Sequence, residues 1–540
     1  MHVELLRLRI LTISVFVRWL EHVKDEIEEN DAQHMHVSWA AFHANRLPQD
    51  KSSPLDISSL LPLFQEQAKS AAMIRHSMDV VRKAVHFLNP GQVPVIACDQ
   101  PLFSLAKQIQ WTWPDSHGES HLVVMFGGLH IELAALKSIG QWLEDSGWTS
   151  ALVQANIASS GTADSFLKAS HMSRTRHAHQ VTACALHILM CKAYQDYIHG
   201  LAGDITQLEF EIWKEQREAE SPQFQYWSIT LQFELAILIF VRSLREGNFQ
   251  LYKDALTSMV PWFFALDHHN YARWLPVHVR DMMSLERMHP AVNTEFERGN
   301  FVVHKTQHIF SAIPIDQAHE QNNKCVKGDG GAVGLTENSS QLLRWMVSGP
   351  EMARVINEFE KSQELIKRTQ SKGPDLRHHE QVKGVQTTFM KQLKALCDSI
   401  EEMGNPFLEQ GEDLLVLDTN DIVDLRVAET IRQIQCLGKE QYAMFVDERL
   451  NKRTKPVSDP IKRNKLPLFS CPPVRSMSKE KQQISSLKQN CALFSQLYVS
   501  CQVRDGDLDD FFVMKITVFH LHFPTLESYV LDPNQTCWFA

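Results

Sequence analysis

The sequence predicts an α/β protein of predominantly helical content. Two short apolar runs, VPVIAC (Val93 to Cys98) and HLVVMFGGLH (His121 to His130), read as strands buried in the sheet. Each leads straight into a helical pattern. From about 148 to 290 apolar residues recur at helical spacing with no strand between them, as in HQVTACALHILMCKAYQDYI and YWSITLQFELAILIFVRSLREG.

Taken in order, residues 22–32 are polar, and HMHVSWAAFHA (His34 to Ala44) reads as a strand. Ile57 to Leu88 reads as two helices, stopped by Asn89-Pro90-Gly91. Asp99 ends the first buried run. Gln100-Pro101 then opens a helix, because an Asp can accept from the free N–H groups of a first turn and proline is tolerated there. The second run carries Gly127-Gly128 near its end, which permits close backbone approach or a bulge. FVVHKT (Phe301 to Thr306) is strand-like, and residues 327–338 are a glycine-rich loop. Further helices are expected over Gln341 to Phe359, Phe389 to Met403, Val423 to Asn451 and Ser486 to Cys501.

This order divides the chain into an α/β core at 1–147, a helical insertion at 148–300 and a return to the core with an acidic helix at 301–359. A helical region (360–451), a basic proline-rich linker (452–485) and a C-terminal helix with an unmatched tail (486–540) follow.

Composition narrows the function. The 540 residues carry a net charge of −10 at pH 7, so a nucleic-acid surface must be a local patch. The ten cysteines show no CxxC spacing, which predicts reduced thiols and an intracellular protein, in the nucleus rather than the cytoplasm if the basic linker is an address. The apolar N-terminal run Ile10 to Val17 is eight residues between arginines, short of the ~20 that span a bilayer, and no membrane association is expected.

Four stretches carry candidate chemistry. Asp99 stands at the C-terminal end of a buried strand, where open α/β sheets place ligands, and it can hold Mg²⁺ or simply cap the next helix. His130, in FGGLH, is either a ligand or base, or a structural histidine. Asp316 and Glu320, in IDQAHE, share one face of a helix; such pairs are also common as solvated surface. The cluster His268, His269 and His278 has neither a partner cysteine nor HExxH spacing, so zinc would require those rings to converge, and a packed helix with Tyr271, Trp274 and Val277 facing the core is the simpler reading. The glycine-rich GDGGAVG lacks the Lys-Ser/Thr pair of a phosphate-binding loop.

The order of elements resembles the later half of a ribonuclease-H-like transposase core, a mixed sheet interrupted by a large helical insertion. The stretches LNPGQVPVIACDQPLFSLAKQIQW, VVMFGGLHIELAALKSIGQWLEDSGW, DHHNYARWLPVHVRDM, GNFVVHKTQHIFSAIPIDQAHEQNN and VDERLNKRTKPVSDPIKR also resemble a family of long, mobile-element-derived proteins of cnidarians, fish and arthropods, over about residues 35–510. The resemblance implies Asp99 and Glu320 as catalytic Mg²⁺ or Mn²⁺ ligands, with His130, Asp316 and Asp267 supporting them. It implies DNA as partner, contacted by Lys452, Arg453, Lys455, Lys462, Arg463 and Lys465, residues that read equally well as a solvated linker. The two acids are then expected about 4–8 Å apart, as sharing of two metal ions requires.

Three departures qualify this. Ile10 to Trp19 contains no acid to serve as the first ligand. The residues before His130 lack the Asp of related transposon-like groups, and the tail is unmatched. The expectation is therefore a degenerate or truncated copy, without a cofactor if inactive. A non-enzymatic helical scaffold is the alternative.

Overall fold

The computed structural model describes residues 18–28, 35–48, 55–56, 70–200, 208–327, 377–409 and 411–470, with isolated positions between 340 and 362. Helices dominate. Residues 18–28 form α1, Trp39–Asn45 α2 and Ala71–Leu88 α3. Strand β1 (Val95–Cys98), α4 (Gln100–Thr112), the single turn α5 (Pro114–His117), β2 (Val123–Phe126) and α6 (Gly128–Leu143) follow.

The two strands pair in parallel, with Val95 opposite Val123 and Cys98 opposite Phe126, and they are the whole sheet among the described residues. The α4 crossover makes the parallel pairing possible, since a strand that re-enters in the same direction needs a long connection. Phe103 of α4 lies flat on Phe126 with ring centroids 4.9 Å apart, which fixes the crossover helix against β2.

Among the described residues the next helices are α7 (Trp148–Gln154), α8 (Ser160–Leu167), α9 (Met172–Gly200), α10 (Phe210–Glu220), α11 (Pro222–Glu246), α12 (Phe249–Ala265), α13 (His269–Met283), α14 (Leu285–Met288), α15 (Pro290–Glu297) and α16 (Ile315–Lys327). Then come α17 (Lys383–Met403) and α18 (Leu425–Phe445), the latter running into a π-turn at Val446–Asn451. Helix α11 is apolar almost all round because it is the central rod, packed by α6, α9, α10, α12 and α18. It alone among the described helices is long and apolar enough to cross a membrane, and 83% of its apolar window is buried by neighbours.

The apolar core is continuous from the strands through the 148–300 helices to α17 and α18. The described residues therefore form one compact unit. Lys107 of α4 helps join them: its buried ammonium lies 2.6 Å from Glu119 and 2.8 Å from Asp281 of α13.

Four expected elements differ. The second strand stops at Phe126, and Gly128 to His130, expected to end it, form the first turn of α6, where Asp316 accepts the N–H groups of Leu129 and His130. Of His34 to Ala44, the described residues 35–44 form no strand; Ser38 accepts from Ala41 N at 3.4 Å and starts α2, where three alanines favour the helix. Phe301 to Thr306 contributes one antiparallel bridge, Val303 with Ile313, and no strand. The basic linker is, over 452–470, a strap held on the core. Arg449 donates to the carbonyls of Val457, Asp459 and Pro460, Leu468 is buried, and Phe469 packs on Tyr226 at 4.8 Å. Its prolines break helices but do not free the chain. The helices expected in residues 57–69, in most of Gln341 to Phe359 and in Ser486 to Cys501 lie outside the described residues.

A candidate acidic site at the sheet edge

The parallel register brings both strand ends to one edge. Gly127 N donates to Cys98 O at 2.7 Å, so Asp99 and Gly127 leave the sheet side by side. Each starts a helix there. Asp99 Oδ1 accepts Leu102 N at 3.0 Å and caps α4. Gly127 has no side chain to cap α6, and the missing acceptor comes from α16: Asp316 Oδ1 takes Leu129 N at 3.0 Å and Oδ2 takes His130 N at 3.1 Å. The two glycines are the steric condition for this. A Cβ on Gly127 would lie 2.3 Å from Asp316 Oδ2, and one on Gly128 would lie 2.9 Å from Pro314 Cβ.

Asp316 also meets the His130 side chain, with Nδ1 2.9 Å from Oδ2. With Nδ1–H donating to the carboxylate, Nε2 faces away from it, and the side chain is 29% exposed. Its pKa rises above the usual 6.5, first through that hydrogen bond, against the cost of burial, and then through the charges of Asp316, Asp99 and Glu320. The imidazole thus answers to three carboxylates. Two are part of the edge, and Glu320 is exposed one turn along α16.

Tyr271 of α13 closes one side. Its ring stacks on Phe126 at 5.5 Å, and burial, then Asp99 and Asp316, push its phenol up to about 12. The sequence pattern places Tyr271 only in the core.

The remaining expected site residues lie elsewhere. Asp267 receives the strap: its carboxylate accepts Asn464 N and Lys465 N, each at 2.8 Å, while its own backbone sits at φ 60°. Lys452 and Lys455 are paired with Asp447 at 2.6 Å and Glu448 at 2.8 Å. Arg453, Lys462, Arg463 and Lys465 lie on the strap's surface. The three histidines do not converge as a zinc site. His268 bonds Gln141, His269 lies beside Asp267, and His278 is buried between Tyr252 Oη at 2.8 Å and Phe126 N.

Among the described residues two groups, neither of them at this edge, bring three ligand atoms within 4.8 Å of one another: Glu21, His187 and Cys191, and His378, His379 and Glu380. In the second, Glu380 Oε2 accepts Ser38 Oγ at 2.8 Å, and His378 Nδ1 accepts Glu380 N at 3.2 Å.

A family model described as a domain of unknown function, DUF8702, matches residues 38–209 and 201–514. The chain belongs to that family. No curated protein and no solved structure matches it. In this DUF8702 member the first matched segment supplies Asp99, Gly127 and His130, and the second supplies Tyr271, Asp316 and Glu320. The edge therefore exists only when both segments are folded together.

Proposed function

We propose that this edge is the remnant of a metal-dependent nucleic-acid-processing centre in a transposon-derived protein of ribonuclease-H-like descent. The observation that carries the reading is His130: it bonds Asp316, and the charges of Asp99 and Glu320 both reach it, so three of the acids singled out in the sequence bear on one imidazole. The β1–α4–β2 parallel unit, the helical stretch and the returning acidic helix follow the element order of that fold.

The donors suit a hard divalent cation. Asp99 keeps Oδ2 clear of its cap bond, and Glu320 offers an exposed carboxylate. Mg²⁺ or Mn²⁺ held there would supply charge stabilisation for phosphodiester chemistry. It would compete with the proton on His130, because both neutralise the same carboxylates. Asp316 orients the imidazole from behind, as carboxylates do for histidines at metal sites. Arg453, Lys462, Arg463 and Lys465 are the charges left for DNA phosphates, and a nuclear location goes with that partner.

Calorimetry with Mn²⁺ and Mg²⁺ tests the reading. Wild type is expected to bind, and Asp99→Asn, which keeps a capping oxygen, and Glu320→Gln are each expected to weaken binding at least tenfold. Absence of binding, or binding indifferent to both changes, overturns it.

A second reading has its own support. Asp316 uses both oxygens on the α6 terminus and His130, and Asp99 caps α4, so two of the three acids serve the fold as they stand. On that reading the protein is a non-enzymatic scaffold that kept the architecture of such a core, and the calorimetry would show no metal.

A further inference from the structure

Helix α1 crosses α9 well away in sequence from the acids discussed above. Trp19 and Val23 of α1 are fully buried, and Glu21 and Lys24 stand beside them. On α9, His187 and Cys191 are four residues apart and so lie one above the other on one face. Glu21 Oε1 is 3.0 Å from His187 Nε2, and Cys191 Sγ is 3.5 Å from the same nitrogen. All three ligand atoms fall within 4.8 Å of one another.

We propose that Glu21, His187 and Cys191 form a binding site for a borderline-soft divalent cation, with Zn²⁺ the best fit. Tetrahedral zinc with ordinary bond lengths sets ligand edges of about 3.6 Å for N···S and about 3.4 Å for N···O. The sulfur already stands at that separation, and the carboxylate oxygen would move outward by about 0.4 Å to admit the ion. The thiolate and imidazole donors select zinc, cobalt or nickel over magnesium.

The surroundings agree with three protein ligands and one open position. His187 is 8% exposed and Glu21 37%, so the ion would enter, and keep a water, on the Glu21 side. Lys24 pairs with the other oxygen, Oε2, and leaves Oε1 to the ion. Without metal, His187 and Lys24 hold the Glu21 carboxyl down at about 2, so that ligand is already ionised. Burial, then Glu21, raises the Cys191 thiol to about 12. Binding must displace the thiol proton, as for any cysteine ligand. The ion would tie α1 to α9, segments 166 residues apart.

Titration of the full chain with Co²⁺ tests the site. One equivalent should bind with the near-ultraviolet absorption of a thiolate–cobalt bond, which marks this site apart from carboxylate-only binding at the sheet edge, and Zn²⁺ should displace it. Cys191→Ser should abolish that absorption, Glu21→Gln should weaken binding at least tenfold, and Cys436→Ser, at an exposed thiol, should change neither. No saturable binding by the wild type, or a thiolate–cobalt band that survives Cys191→Ser, overturns the proposal. Circular dichroism of each variant separates ligand loss from misfolding.

Discussion

Asp316 caps α6 by accepting the N–H of Leu129, 187 residues before it, and the cap fits only because residue 127 has no side chain. One carboxylate satisfies two backbone donors at the start of α6 and holds the His130 ring. The position that a local Ser or Asp would usually fill is given up to a residue from α16.

Gly127→Ala should therefore destabilise by about 1–3 kcal/mol, the usual cost of overpacking. The backbone itself tolerates alanine, with φ at −62°, so the cost is the clash alone. Asp316→Ala should cost about 2–3 kcal/mol by removing charged hydrogen bonds at a buried helix start. The double variant should lose less than the sum, because the clash needs Asp316 to be present. Urea unfolding of the four proteins measures the cycle; strict additivity would mean the two residues do not meet.

The ion pair also predicts a pH dependence. The folded pKa of His130 is raised above 6.5, so its contribution to stability is complete below about pH 6.5 and is lost as the pH rises through the folded value. Asp316→Asn should lower the His130 pKa and flatten that part of the curve. Histidine NMR titration of wild type and variant reads both. An unchanged His130 pKa in the variant would contradict the pairing.

Asp99 has two separable jobs. Asp99→Ala should lose about 1 kcal/mol through the α4 cap, whereas Asp99→Asn should lose little, since an amide oxygen can still accept Leu102 N. Both variants should lower the His130 pKa, because both remove the charge. Equal stability losses in the two would deny the cap.

His278 titrates in the opposite direction. Burial drives its pKa down to about 3, helped by Lys107, so it is neutral in the fold. Its contribution is present above about pH 6.5 and is lost as the pH falls from there through the folded value. His278→Gln, which can still bond Tyr252, should be less stable than wild type at neutral pH yet lose less stability on acidification. Denaturation midpoints at pH 7 and pH 5 test this, and a parallel decline of both proteins would count against it.

Local signals make the β1–α4–β2 unit readable. Apolar β-branched runs, Asp99 before Gln100-Pro101 and the paired glycines each act within a few residues of where they stand. The same locality explains the misreading of His34 to Ala44 as a strand. There Ser38 and the alanines set the helix, and Gln386, 348 residues away, accepts Ser38 N at 2.9 Å. Prolines and lysines make 452–470 look like a free linker, because nothing near them announces that Asp267 and Arg449 hold the segment down.

The acids stand out in the sequence for a reason that is only partly the right one. Asp316 and Glu320 are visible as a pair on one helix face, but capping of α6 by Asp316 has no local mark. Its partners lie in a different part of the chain. Periodicity assigns Tyr271 to the core, and its ring does pack there, but its phenol lies close enough to Asp99 and Asp316 to feel their charge.

The long reach of Asp316 has a consequence for biosynthesis. Chains grow at about 5–20 residues per second, so about 10–40 s separate the emergence of the FGGLH turn from that of the carboxylate that completes it. During that interval the start of α6 has bare N–H groups, and the apolar face that α16 will cover is open. A nascent chain in this state is a natural client for a chaperone, and a fragment ending near residue 209 would remain in it permanently. Recombinant work on the family should therefore keep both matched segments in one polypeptide.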